Sequence, residues 1–223
     1  MGELRYGQYY GGERERSYRA TNFDYYAPEM AEGQYQMPII RKVDTVPERL
    51  LGFNYAKCEK EDTGCGIHFF IDDYQFERIW SNPRQTIPRL ARFRCVLTPD
   101  FSLYLDMPMA MKIWNTYRSR MIGQIMQREG MEVIPTLSWA EKETFCFCFD
   151  GIEPGGVVAV STVGLARKRD AWQGWRDGMD EAIRRLSPST VLCYGKPIGY
   201  DFGDVPVRFY KPRAFQSARK GDG

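Results

Sequence analysis

Carboxylates and hydroxyls recur just beyond the short apolar runs of this 223-residue chain. Asp72 and Asp73 follow GIHFFI, and Thr98, Pro99, Asp100 and Ser102 close FRCVLTPDFS (93–102). Thr136, Ser138 and Trp139 close MEVIPTLSW (131–139), Ser161 and Thr162 lie in GVVAVSTVG (156–164), and Tyr194, Gly195 and Lys196 lie in TVLCYGKP (190–197). Two carboxylates on neighbouring strand ends suit glycosyl transfer, in which one attacks or activates and the other shuttles a proton. The same pair can hold Mg²⁺ for phosphoryl chemistry. The catalytic candidates are therefore Asp100, with Asp72 or Asp73 as the second carboxylate. Ser102, Trp139, Ser161, Thr162, Tyr194 and Lys196 are candidate ligand contacts, Ser161 and Thr162 toward phosphate or sugar and Lys196 toward a phosphate or oxyanion. A Ser or Asp after a strand also caps the next helix. Ser138 with Glu141 reads as a Ser-x-x-Glu capping box, which gives that serine a structural use, and Asp73 is placed to cap a helix over 74–80.

The elements that must position these residues alternate. Each apolar run is short and β-branched, and each is followed by a stretch of helical spacing, giving a βαβαβαβ order over 94–197. Parallel neighbours need long connections, most often helices, so the expectation is an α/β fold: a parallel sheet with crossover helices, as an incomplete or distorted βα barrel. In such folds ligands sit beyond the carboxyl ends of the strands. Asp106 and Pro108 open the strongest helix, with Ile113, Trp114, Tyr117, Met121, Ile122 and Ile125 on one stripe and Gly130 as its stop. Trp172, Trp175, Met179, Ile183 and Leu186 stripe a second helix, and Asn82 with Pro83 starts a short one. VPVRFY (205–210) reads as an edge strand.

Residues 1–36 hold half of the tyrosines and almost no aliphatic side chains, which predicts a flexible N-terminal tail rather than a self-folding unit. The domain plan is thus a tail over 1–36, an α/β domain over 37–200 and a basic extension over 201–223. The tail interleaves tyrosine with arginine, as stacking on single-stranded nucleic acid requires. Its six acids outnumber its four bases, however, so docking on the body or self-association into a homo-oligomer fits it better. A net charge of +2 announces neither a nucleic-acid nor a membrane partner. Cys95, Cys146, Cys148 and Cys193 lie in apolar runs and read as buried thiols rather than disulfides, which with no spanning apolar stretch predicts a cytoplasmic protein. Cys58, Cys65 and His68 have the side chains of a zinc site, but six residues separate the cysteines and no fourth ligand is apparent, so a partly buried histidine is expected. The connection bearing Arg78, Arg84, Arg89, Arg92 and Arg94 is locally basic and reads as a solvated face.

GFNYAK (52–57), HFFIDDYQFERIW (68–80), VLTPDFSLYLDMP (96–108), IPTLSW (134–139), FDGI (149–152), VVAVSTVG (157–164) and CYGKP (193–197) resemble a family of phages and bacterial mobile elements, domain of unknown function 4417. The resemblance covers about 48–198 and implies a phage- or plasmid-borne protein of the bacterial cytoplasm, with no activity attached. VLTPDF followed by VIPTLSW is also similar to the latter part of queuine-type transglycosylases, which exchange bases in tRNA or DNA. Those are full barrels with a cysteine-rich zinc motif, which this chain lacks. Two functions follow: an enzyme acting on a nucleotide or nucleic acid through strand-end carboxylates, or a non-catalytic protein that engages a host or phage partner through its aromatic tail.

Overall fold

Parallel pairing of the apolar runs is the organising feature of the computed structural model, which describes residues 14–57, 64–165 and 169–212. Strands β1 (Arg49–Gly52), β2 (Cys65–His68), β3 (Cys95–Leu97) and β4 (Val133–Ile134) form one parallel sheet in chain order. Strands β5 (Val157–Ser161), β6 (Thr190–Tyr194) and β7 (Val207–Tyr210) form a second, also parallel. The alternation therefore produces the expected α/β fold, and VPVRFY does supply an edge strand. One bridge, Thr136 to Ala159, links the two sheets at the exit of β4.

Among the described residues the strands do not close into a barrel by a continuous ladder. Below the Thr136 bridge the sheets part because residues 40–43 insert there: Ile40 bridges Ile152, and Val43 O accepts from Val157 N at 2.8 Å. Across the other gap, side chains replace a ladder. The Tyr210 hydroxyl donates to Pro47 O at 2.7 Å and Arg208 Nη2 to Glu48 O at 3.3 Å. Apolar side chains from both sheets nevertheless share one cluster, including Cys95, Leu97, Ile134, Val157, Ala159, Leu192 and Tyr210. Their neighbours along the strands, such as Ile67, Val96 and Val133, face the larger cluster under the helices, as the period of two requires.

Helix α1 (Met109–Arg128) joins β3 to β4, and α2 (Arg169–Leu186) joins β5 to β6. Gly130, at φ +81°, ends the first as its spacing predicts. The buried stripes hold Met121, Ile122 and Ile125 on α1 and Trp175, Met179 and Leu186 on α2, while Trp114 is left exposed. What the spacing did not show is that much of the polar face of α1 is buried too. Lys112, Asn115, Thr116, Ser119, Arg120 and Gln124 are all buried. Arg120 is the extreme case: it donates to the carbonyls of Asp150 (3.0 Å), Thr136 (3.4 Å) and Cys148 (2.6 Å), and burial lowers its pKa to about 10.

From Asn22 onward, the segment expected to be a flexible tail is seated on the body; residues 1–13 lie outside the described part. Asn22 Nδ2 donates to Trp80 O (2.8 Å), Arg84 pairs with Asp24 (2.6 Å), Gln124 Nε2 donates to Met30 O (2.8 Å) and Arg128 to Tyr25 O (2.5 Å). Side-chain to backbone bonds in both directions and one ion pair hold the segment, so its poverty in aliphatic residues does not prevent docking. Cys95, Cys148 and Cys193 are buried as expected, but Cys146 is exposed, on a one-turn helix (Phe145–Cys148) too short to bury both faces. Among the described residues, no helix is long and apolar enough to cross a membrane.

Candidate functional site

Two prolines set the site. Pro99 and Pro135 follow β3 and β4 and lack the N–H that would continue the ladder. Threonines take over there: Thr136 N donates to Thr98 Oγ1 and Thr136 Oγ1 to Thr98 O, each at 2.8 Å, and Ser119 Oγ donates to Thr98 Oγ1 at 3.2 Å. The two strand ends are thus locked together just before their loops diverge.

The next three residues are each held from a different element. Asp100 Oδ1 accepts from the Ser138 hydroxyl. Phe101 is buried, with the Arg118 guanidinium stacked 3.8 Å from its ring centroid. Ser102 donates through its N–H and hydroxyl to Asp73 (3.0 and 2.8 Å) and accepts from Asn115 at its carbonyl (2.8 Å). Arg118 is fixed in turn by both oxygens of Glu77 and by Asn115 Oδ1. A segment restrained at every residue holds its carboxylate in one geometry, as a site that binds or reacts needs.

Asp100 opens on a cleft of about 910 Å³ beyond the carboxyl ends of β3, β4 and β5. Ser102, Ser138, Trp139, Ser161 and Trp175 also line it. The two indoles are fixed by their N–H groups, Trp139 to Gly174 O (3.0 Å) and Trp175 to Ser161 O (3.1 Å). Trp139 lies so close to α2 that a Cβ on Gly178 would stand 2.1 Å from its indole nitrogen. On the opposite wall, Lys112 is almost wholly buried and donates to both oxygens of Glu141 (2.6 Å) and to Leu105 O (3.1 Å), tying the two loops of the cleft together. That hydrogen bond holds Glu141 below the usual carboxylate range.

The electrostatics single out Asp100. Its pKa is raised from 3.8 to about 7, first by burial of the carboxylate and further by the nearby Asp73 charge, against the opposing pull of the Ser138 hydroxyl. A carboxyl that ionises near neutrality can give and take a proton under physiological conditions.

Of the residues singled out in the sequence, Asp100, Ser102, Trp139 and Ser161 meet in this cleft, and Asp73 buttresses it through Ser102. The Ser161 hydroxyl is already engaged with Tyr194 O and Val163 N. Asp72 stands apart, exposed beside Gln75. Thr162 is buried and donates to Lys196 O, which fixes the loop after β6. Tyr194 is an interior residue, its ring 4.2 Å from that of His68 and 5.3 Å from that of Phe70. Lys196 is exposed outside the cleft lining. Ser138 corrects the capping-box reading: the turn after it has no side-chain cap, and its hydroxyl serves Asp100 instead. Asp73 likewise binds Ser102 rather than capping its own 3-10 turn. Trp175 and the Lys112–Glu141 pair were not legible as site residues; a buried lysine on α1 and a tryptophan on the core stripe of α2 both read as ordinary helix positions.

Cys58 lies outside the described residues. His68 is buried, with Nδ1 accepting from Phe70 N (3.1 Å) and a pKa lowered to about 3 by burial, so the ring is neutral. Among the described residues, no three His, Cys, Asp or Glu side chains converge as a metal-ligand set.

Residues 29–211 match a family described as a domain of unknown function (DUF4417), which extends the resemblance read from the sequence at both ends. The chain is 42 % identical over 189 residues to a "Gene 1 protein" of Mycobacterium phage L5, covering 83 % of this chain and 82 % of that one. It is 39 % identical over 188 residues to the "Gene 1 protein" of Mycobacterium phage D29, covering 83 % and 70 %. No solved structure matches.

Proposed function

The chain belongs to the DUF4417 family, with relatives in mycobacteriophages, and from that premise we propose that it is an enzyme whose Asp100 transfers a proton to a nucleobase or nucleoside bound in the cleft. The observation that carries this reading is a carboxyl poised near neutral pH that lines the same cleft as two fixed indoles. A planar base fits against aromatic walls, and a carboxyl with a pKa of about 7 serves as general acid or base on a ring or glycosidic atom. Asp73, one residue removed through Ser102, raises that pKa and is the second carboxylate of a glycosyl-transfer arrangement. The supporting frame is an open βα barrel in which the family's strand-end loops form the cleft.

Intrinsic tryptophan fluorescence tests this, because two of the five tryptophans line the cleft. Titration with a panel of nucleobases, nucleosides and nucleotides is expected to quench the wild type saturably. Asp100→Asn binds the same ligand but releases no free base from a nucleoside or oligonucleotide. Absence of any saturable response, or base release unchanged in Asp100→Asn, removes the reading. A second reading, a non-catalytic partner contact, is favoured by one observation: Tyr18, Phe23 and Tyr26 stack in series, with Phe23 46 % exposed.

A further inference from the structure

Four cations converge on a second, smaller hollow between the loop after β1 and the short helices that connect β2 to β3. It encloses about 220 Å³ and is lined by Lys57, Arg78, Arg89 and Arg92 around Phe53. Among the described residues no acidic side chain lines it, and none of the four cations forms an ion pair. The acid next to Arg78, Glu77, is taken by Arg118.

Two of the cations are held by groups that leave their charge uncompensated. The Arg78 guanidinium lies 4.6 Å from the centroid of the buried Phe53 ring, and Arg92 Nη2 donates to Ala56 O at 2.5 Å. Converging like charges repel, so an arrangement that fixes them with no counter-charge among the described residues suits an anion.

We propose that this hollow binds a phosphate group. A carboxylate brings one negative charge, whereas a phosphate monoester brings about two with three acceptor oxygens, and a nucleic-acid backbone brings one at each successive phosphodiester, which suits several converging cations. Arginine forks match those oxygens in pairs. The volume is below the roughly 300 Å³ at which pockets begin to enclose drug-sized ligands, so the hollow takes the phosphate itself, from either a small phosphorylated molecule or a nucleic-acid backbone. The site is separate from the Asp100 cleft and does not rest on the function proposed for it. It turns the arginine-rich connection, which reads as a solvated face in the sequence, into a binding feature.

The test uses the full chain at low salt. Calorimetry with sodium pyrophosphate and fluorescence anisotropy with a labelled oligothymidylate report the two sources of phosphate. Arg78→Ser/Arg89→Ser is expected to lose at least about tenfold in affinity for whichever probe binds. The salt slope for the oligonucleotide should fall by about 1.4, the effect of two lost contacts on a single strand. Arg184→Gln, a change in the Arg184–Glu181 surface pair, should match the wild type. Lys57 and Arg89 are both exposed, so Lys57→Gln/Arg89→Gln provides the same comparison should the loss of Arg78 unfold the protein. Binding of pyrophosphate alone identifies a small-molecule phosphate. An oligonucleotide displaced by pyrophosphate identifies a backbone. Failure of both probes to bind the wild type overturns the proposal, whether or not Glu59, Glu61 and Asp62, which follow Lys57 in the chain, answer the cations instead. So does wild-type affinity in the variants.

Discussion

Asp100 is legible in the sequence as a carboxylate after a strand, but its chemistry is not, because its pKa comes from what surrounds it. The neighbours that matter, Ser138 and Asp73, are distant in sequence and were both read as helix caps. Capping and site support use the same residue types, and only tertiary pairing distinguishes them. The raised pKa has a consequence for stability. The folded state holds the Asp100 proton more tightly than the unfolded chain, so folding loses free energy as pH rises from about 4 to about 7. His68 acts in the opposite sense. Its folded pKa of about 3 lies below the ordinary 6.5, so folding gains stability as pH rises through that interval. Asp100→Asn removes the first effect and leaves the second. Its stability should climb more steeply than the wild type's up to about pH 6.5, and at about pH 8 it should equal or exceed the wild type. Urea unfolding at a series of pH values measures both; a variant clearly less stable than the wild type at about pH 8 contradicts the assignment.

At the scale of elements, periodicity located both long helices and the strands from β2 to β7, since burial of one face imposes the period wherever it occurs. It failed on the second face of α1, because a polar residue looks the same in sequence whether it meets water or a buried carbonyl. Arg120 shows the difference. Arg120→Met keeps the length of the side chain but leaves the carbonyls of Asp150, Thr136 and Cys148 without their donor. With about 1–3 kcal/mol for each unsatisfied buried group, partly offset by water entry, a loss of roughly 3–5 kcal/mol is expected in chemical denaturation. A loss under about 1 kcal/mol would mean that the arginine does not tie α1 to the 148–150 turn. Gly178→Ala probes the cleft wall: its methyl group meets the Trp139 ring, so it should cost about 1–3 kcal/mol and shift the tryptophan emission. Unchanged emission would place Trp139 away from α2.

For the whole molecule, composition suggested a boundary at residue 36, whereas the segment from Asn22 is bound to α1 and to the short helices after β2. Polar docking of this kind has no compositional signature. Deleting residues 1–36 removes docking bonds made by Asn22, Asp24, Tyr25, Met30 and Glu32. At about 1 kcal/mol each, with 2–4 °C of melting temperature per kcal/mol for a chain of this size, the loss is on the order of 10 °C. A cooperative transition should remain, since both parallel sheets and both long helices lie outside the deletion. An unchanged melting temperature would restore the dispensable tail. The central claim, that the fold converges on one carboxyl poised for proton transfer, is tested most directly by labelling every aspartate carboxyl in the chain with carbon-13 and following the resonances by NMR from about pH 3 to about pH 9. The account predicts a resonance with its midpoint near 7, absent from Asp100→Asn. A resonance identified as Asp100 by that absence, yet titrating below about pH 5, would contradict it.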